Sequence, residues 1–146
     1  MRRTSVLLAP LAAAALLFAG CAPQTSENNA DDFQGVEQDV ADAFFDFRDA
    51  VVKRDEKKVC DSYFTPELRD EIVRLAKEAG RGSTCADAIS DSIQDINATE
   101  IEIEDITVSD TTAMVRIKTD LTEDDPVDTL ELANDRGWRI SKLPGS

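Results

Sequence analysis

Apolar residues between positions 36 and 52 fall on two helical stripes. Val36, Val40, Phe44, Phe47 and Val51 step by four, four, three and four residues, while Ala41, Phe45 and Val52 occupy a second face. A helix with two apolar faces is expected to lie between a sheet and another helix. Lys53-Arg54-Asp55 ends it, and a short helix carrying Val59, Cys60, Tyr63 and Phe64 comes next. Thr65-Pro66 is a start signal, a hydroxyl N-cap ahead of a proline in the first helical position. Leu68, Ile72, Leu75 and Ala79 then recur at helical spacing up to a Gly80 stop. Ser83 or Thr84 is expected to cap one more helix, with Cys85, Ile89, Ile93 and Ile96 as its buried line.

The period changes to two from Thr99 onward. Ile101 and Ile103 alternate with glutamates, whereas Ile106 and Val108 take the opposite parity, which predicts a bulge near Glu104-Asp105. Ser109-Asp110-Thr111 turns the chain into a strand carrying Ala113, Val115 and Ile117. A further strand is expected from Val127 to Ala133, a hairpin turn over Asn134 to Gly137, and a last strand from Trp138 to Leu143. Short connections imply an antiparallel meander, so the fold class is α+β, with about three helices packed on one face of a four-stranded sheet.

Charge narrows the possible partners. The 146 residues carry 16 basic and 30 acidic side chains, a net charge of −14, which repels nucleic acid. There is no histidine, which removes Ser-His-Asp and Cys-His nucleophile systems and the usual general base. Asp87, Asp91 and Asp95 form an acidic row on one helix, and Asp120, Glu123, Asp124 and Asp125 cluster in a loop. Like charges at helical spacing mark a solvated face, and the loop lacks the D-x-D-x-D-G spacing of a calcium site. A cation-binding module on these carboxylates is therefore the weaker reading, and no metal and no cofactor is expected.

The start of the chain has an address. Met1-Arg2-Arg3 precedes an apolar run from Val6 to Ala19, too short for a spanning helix of about 20 residues but of the length of a signal-peptide core. It ends in Leu17-Phe18-Ala19-Gly20-Cys21, which resembles the bacterial lipobox; Phe18 stands where that pattern usually has leucine. The resemblance implies lipidation of Cys21, cleavage before it, and a location on the outer face of the cell membrane, held there by the N-terminal lipid. Losing 20 of 146 residues, Arg2 and Arg3 among them, leaves 126 residues and moves the charge from −14 to −16. Residues 1–20 are thus read as a signal peptide, 21–35 as a lipidated cysteine and polar tether, and 36–146 as a single domain.

With Cys21 assigned to lipid, Cys60 and Cys85 remain as an even pair in an oxidising compartment. A structural disulfide between them would close a loop of about 26 residues and contribute about 3.5 kcal/mol. The alternatives are two reduced thiols or a redox pair, although the C-x-x-C spacing usual for the latter is absent.

Helices first, then a meander closing on Gly137-Trp138-Arg139-Ile140, resembles the nuclear transport factor 2-like superfamily, in which a curved antiparallel sheet forms a cone around a long N-terminal helix. The paired cysteines are also similar to those of small actinobacterial lipoproteins of this type. The resemblance spans roughly Val36 to Leu143. It implies inward strand positions at Ile101, Ile103, Val115, Ile117, Leu130, Leu132, Trp138 and Ile140, opposed by Phe44, Phe47 and Val51. Phe44, Phe47, Val115, Ile117, Leu132 and Trp138 are the expected lining of a small apolar cavity near Trp138, with no titratable group on the same parity. Superfamily members include isomerases, dehydratases and binding domains; their enzymes use a His-Asp pair or a tyrosine with an aspartic acid. Only Tyr63 with a buried carboxylate could serve here. The expectation is a non-catalytic envelope domain that binds a protein partner or a small apolar ligand.

Overall fold

The computed structural model describes residues 29–94, 101–119 and 128–144. The proposed signal peptide, Cys21, Asp95, Ile96 and the loop acids Asp120, Glu123, Asp124 and Asp125 lie outside the described residues. Among the described residues there are four helices: α1 (Val36–Val52), α2 (Glu56–Lys58), α3 (Pro66–Glu78) and α4 (Cys85–Gln94). Four strands complete the α+β fold: β1 (Ile101–Ser109), β2 (Thr112–Thr119), β3 (Asp128–Asn134) and β4 (Trp138–Lys142). They pair antiparallel in the order β1-β2-β3-β4, the expected meander.

The short helix expected after Lys53 divides in two. Asp55 caps the single turn of α2 by accepting from the Lys58 N–H at 3.0 Å, and a π-helical turn over Val59–Tyr63 then carries the chain to Phe64. Thr65 Oγ1 accepts from the Leu68 N–H at 3.3 Å, as its place before Pro66 predicts, and Thr84 Oγ1 accepts from the Asp87 N–H at 3.1 Å to start α4. Gly80, at φ 68°, closes α3: its N–H donates to the Lys77 carbonyl at 3.2 Å and the Arg81 N–H donates to the Ala76 carbonyl at 2.8 Å. These two bonds occupy carbonyls that the helix end would otherwise leave open. Arg54, at φ 56°, takes the same left-handed position after α1 without a glycine's freedom.

One face of the sheet is buried. Ile103, Ile106, Val115, Ile117, Leu130, Leu132 and Ile140 pack against Val40, Ala41, Phe44, Phe45 and Val51 of α1. The predicted bulge is present: Ile103 pairs with Ile117 and Asp105 with Arg116, so Glu104 is the extra residue and both parities of β1 face inward. A second bulge lies in β4, where Glu131 pairs with Lys142 and Leu132 with Ile140. The intervening Ser141 hydroxyl donates to the Glu131 carbonyl at 3.1 Å. This shift turns Leu143 back toward the core side.

Three sequence expectations need correction. Val36 and Val52 are 52% and 43% exposed, because they are the terminal residues of α1 and no layer covers them. On α3, Leu75 and Ala79 face solvent, and the inner line runs through Leu68, Ile72, Val73 and Ala76. The stripe is rotated because α3 packs across both α4 and β4 rather than along one partner. Finally, residues 29–33 are not free tether. The Asn29 side-chain amide donates to the Ile103 carbonyl at 2.8 Å and accepts from the Ile103 N–H at 3.1 Å, so one side chain pairs with the outer edge of β1 as a neighbouring strand would. Ala30 is buried and Phe33 packs on the core.

The Cys60–Cys85 disulfide joins the π-helical turn to the first residue of α4 across a Cα–Cα distance of 6.1 Å. Both cysteines are buried in the core. Replacing both with alanine should lower stability by about 3.5 kcal/mol in a urea titration, since the loop between them spans 25 positions. The unreduced parent should show no thiol at either position when labelled under denaturing conditions.

Candidate functional site

The last two turns of α1 do not seal against the sheet end formed by the start of β1, the end of β2 and the start of β3. A cavity of about 240 Å³ remains between them. Helical spacing brings Phe44, Phe47, Arg48 and Val51 to its helix wall, and Ile101, Ile117 and Leu130 form the sheet wall. The Ser141 bulge delivers Leu143, with Pro144 after it, to the rim, where Asp128 also stands exposed. Aromatic packing stiffens the helix side. The Phe47 ring lies 6.5 Å from Phe44, 5.9 Å from Phe64 and 6.3 Å from Tyr63.

Arg48 is the unusual member of this wall. It is 3% exposed, on the buried face of α1. Its Nη2 donates to Asp49 Oδ1 at 3.0 Å, and its guanidinium carbon sits 4.7 Å from the centre of the Phe45 ring. Its Nε and Nη1 are buried and have no acceptor among the described residues. Asp49 is half exposed, so it shares its charge with solvent. Burying a guanidinium with most of its donors unfilled costs stability, because water is removed and only partly replaced.

The structure brings together Phe44, Phe47 and Ile117 of the expected lining. Val115 and Leu132 instead lie wholly buried in the core, and Trp138 is half-buried elsewhere. Strand register explains the difference. Trp138 pairs with Asn134 beside the β1–β2 hairpin, whereas the cavity lies at the opposite end of the sheet, where Ile117 pairs with Asp128. Nor is the lining free of charge. Asp128 shares the parity of Leu130 and Leu132, and Arg48 comes from the helix. A signal for Arg48 was present: it sits three residues after Phe45 and four before Val52, as a charged member of an apolar row.

Tyr63 packs edge-on against Phe47, with the Lys58 ammonium 5.7 Å from its ring centre. Its hydroxyl hydrogen-bonds no carboxylate among the described residues, and it does not line the cavity. Asp87 and Asp91 are exposed, and no group of three or more carboxylate or thiol side chains gathers among the described residues.

A second hollow, of about 430 Å³, lies beside the disulfide and is bordered by Lys57, Asp61, Arg69 and Thr84. Its charges neutralise one another. Lys57 Nζ donates to Asp61, and Arg69 Nη1 lies 3.8 Å from the same carboxylate. The hydrogen bond and charge of Lys57, and after them the charge of Arg69, hold the Asp61 carboxyl below its ordinary range, and Asp61 in turn raises Lys57. Being exposed, the group is screened by solvent. No described helix is long and apolar enough to cross a membrane.

No protein-family model, no curated protein and no solved structure matches this chain.

The energetics of Arg48 can be tested without a ligand. Arg48→Met keeps the apolar stem and removes the unfilled donors, so it should raise stability by about 1 kcal/mol or more. A urea midpoint shifted upward at constant slope would report this. A loss of stability would mean that the guanidinium is held by the fold.

Proposed function

We propose that the chain is an exported lipoprotein whose domain holds a small apolar ligand, without transforming it, at the outer face of the cell membrane. The observation that carries this reading is the cavity itself, walled by Phe44, Phe47, Val51, Ile101, Ile117 and Leu130. A ligand site needs such walls and few polar groups. Proton-transfer catalysis needs an acid or base within reach of the bound molecule. The guanidinium of Arg48 offers N–H donors and no acceptor, so it is no base. Asp128 stands exposed on the rim, and Tyr63 is outside the lining. The apolar ligand is favoured over a protein partner because the concave apolar surface lies between α1 and the sheet.

The nuclear transport factor 2-like cone is part of the same proposal. Its support is a long first helix laid across the buried face of a meander, a bulged first strand, and Gly137-Trp138-Arg139-Ile140 at the start of the last strand. Leu17 to Cys21 supports the lipid anchor, and a buried disulfide suits an exported chain.

Two measurements test the proposal. Intact mass of membrane-derived protein should show an acylated residue 21, and Cys21→Ser should leave the membrane fraction; an unmodified Cys21 in mature native protein would refute the anchor. Native mass spectrometry of the same material should detect a retained small molecule, displaced when Ile117→Trp fills the cavity. Protein that carries no such mass, and binds no apolar probe when offered one, would refute the ligand reading.

A further inference from the structure

We infer that the cavity takes a medium-chain organic acid, its carboxylate held by Arg48 and its hydrocarbon tail lying against Phe44, Phe47 and Leu130. This rests on the ligand reading above and specifies its chemistry. An apolar wall alone would accept any hydrocarbon. The wall here includes a fixed positive charge whose Nε and Nη1 have no acceptor among the described residues. An anionic oxygen, of a carboxylate or a phosphate, is the partner that such donors bind strongly, because both sides of the hydrogen bond are charged. Both nitrogens are closed off from water as the side chain stands, while Arg48 borders the cavity with other atoms of its side chain. Rotation about the terminal bonds of a long, unbranched side chain brings both nitrogens to the cavity surface.

Size and charge narrow the class. At about 30 Å³ for each water in the liquid, 240 Å³ equals roughly eight such volumes, room for a chain of about eight to ten carbons and too little for a diacyl lipid. Arg48 is the single cation in the described lining, its Nη2 is already shared with Asp49, and Asp128 adds a negative charge at the rim. That balance suits one negative charge and opposes two. A carboxylate therefore fits better than a phosphate monoester.

The test uses residues 21–146 carrying Cys21→Ser, a chain that includes every described core residue. Calorimetric titration with decanoate, decanol and decyl phosphate compares one tail with three head groups. Decanoate should bind at least about tenfold more tightly than decanol, the difference expected of a charge-assisted hydrogen bond. Arg48→Met should abolish that preference, so that decanoate binds no more tightly than decanol. In the parent protein, the Arg48 Nε–H resonance should move with decanoate and stay still with decanol, a readout that holds even if the variant does not fold. Equal binding of decanoate and decanol with an unmoved Nε–H would overturn the role of Arg48 while leaving the apolar cavity intact. Tighter binding of decyl phosphate would overturn the carboxylate assignment. Binding of none of the three would overturn the ligand reading and this inference together.

Discussion

A four-stranded meander built from short alternating strands has two faces, and among the described residues one helix is long enough to cover one of them. At 17 residues α1 is about 26 Å long, close to the length of the nine-residue β1. Covering that face with α1 constrains both layers. The helix carries two adjacent apolar stripes, and Phe44 and Phe45 are both buried where it meets the sheet and the short turns around Ala30 and Val59. The sheet needs every strand to present apolar residues to the same side, and β1 meets that demand only by inserting Glu104 between two runs of opposite parity. Where α1 approaches its end, the cover becomes incomplete, and the cavity is the space that remains.

The edges of the sheet are dealt with separately. An open edge strand exposes unpaired backbone groups that invite another chain. On β4, the Thr65 N–H donates to the Ile140 carbonyl at 2.9 Å, and Phe64 forms a parallel bridge to Ile140. The residue that caps α3 thus also ties the helical layer to the last strand. The disulfide acts within that layer, linking the turn before Phe64 to α4. On the opposite edge, one asparagine side chain does for β1 what a short backbone segment does for β4.

Much of this was legible in the chain, and the parts that were not share a cause. Alternation in β1 was long enough to reveal a parity switch, so the Glu104 bulge was readable. The Ser141 bulge was not, because β4 is five residues long and one skipped position leaves too few alternations to notice. Without that shift Leu143 could not be assigned to the core side, and the cavity could not be assigned to its end of the sheet. Register between strands is a property of pairs, whereas periodicity describes strands one at a time. Arg48 failed for another reason. A charged residue in an apolar row commonly extends its head to water, and only the packing of Phe45 and Asp49 around it shows that this one does not.

The Asn29 clasp also gives the domain a leash. Chain extends at most about 3.5 Å per residue, so the eight steps from Cys21 to Asn29 span no more than about 28 Å. With a lipid on Cys21, the outer edge of β1 could not travel farther than that from the bilayer. Ile103 receives the clasp, and Ile101, two residues earlier on the same strand, borders the cavity. An anchor at Cys21 would thus hold nearest the membrane the end that carries the cavity. Repulsion between an acidic domain and anionic headgroups fades beyond about 8 Å at physiological salt, which leaves most of the leash's range free of it. A molecule leaving the membrane would meet the cavity at a local concentration set by the leash rather than by the surrounding fluid.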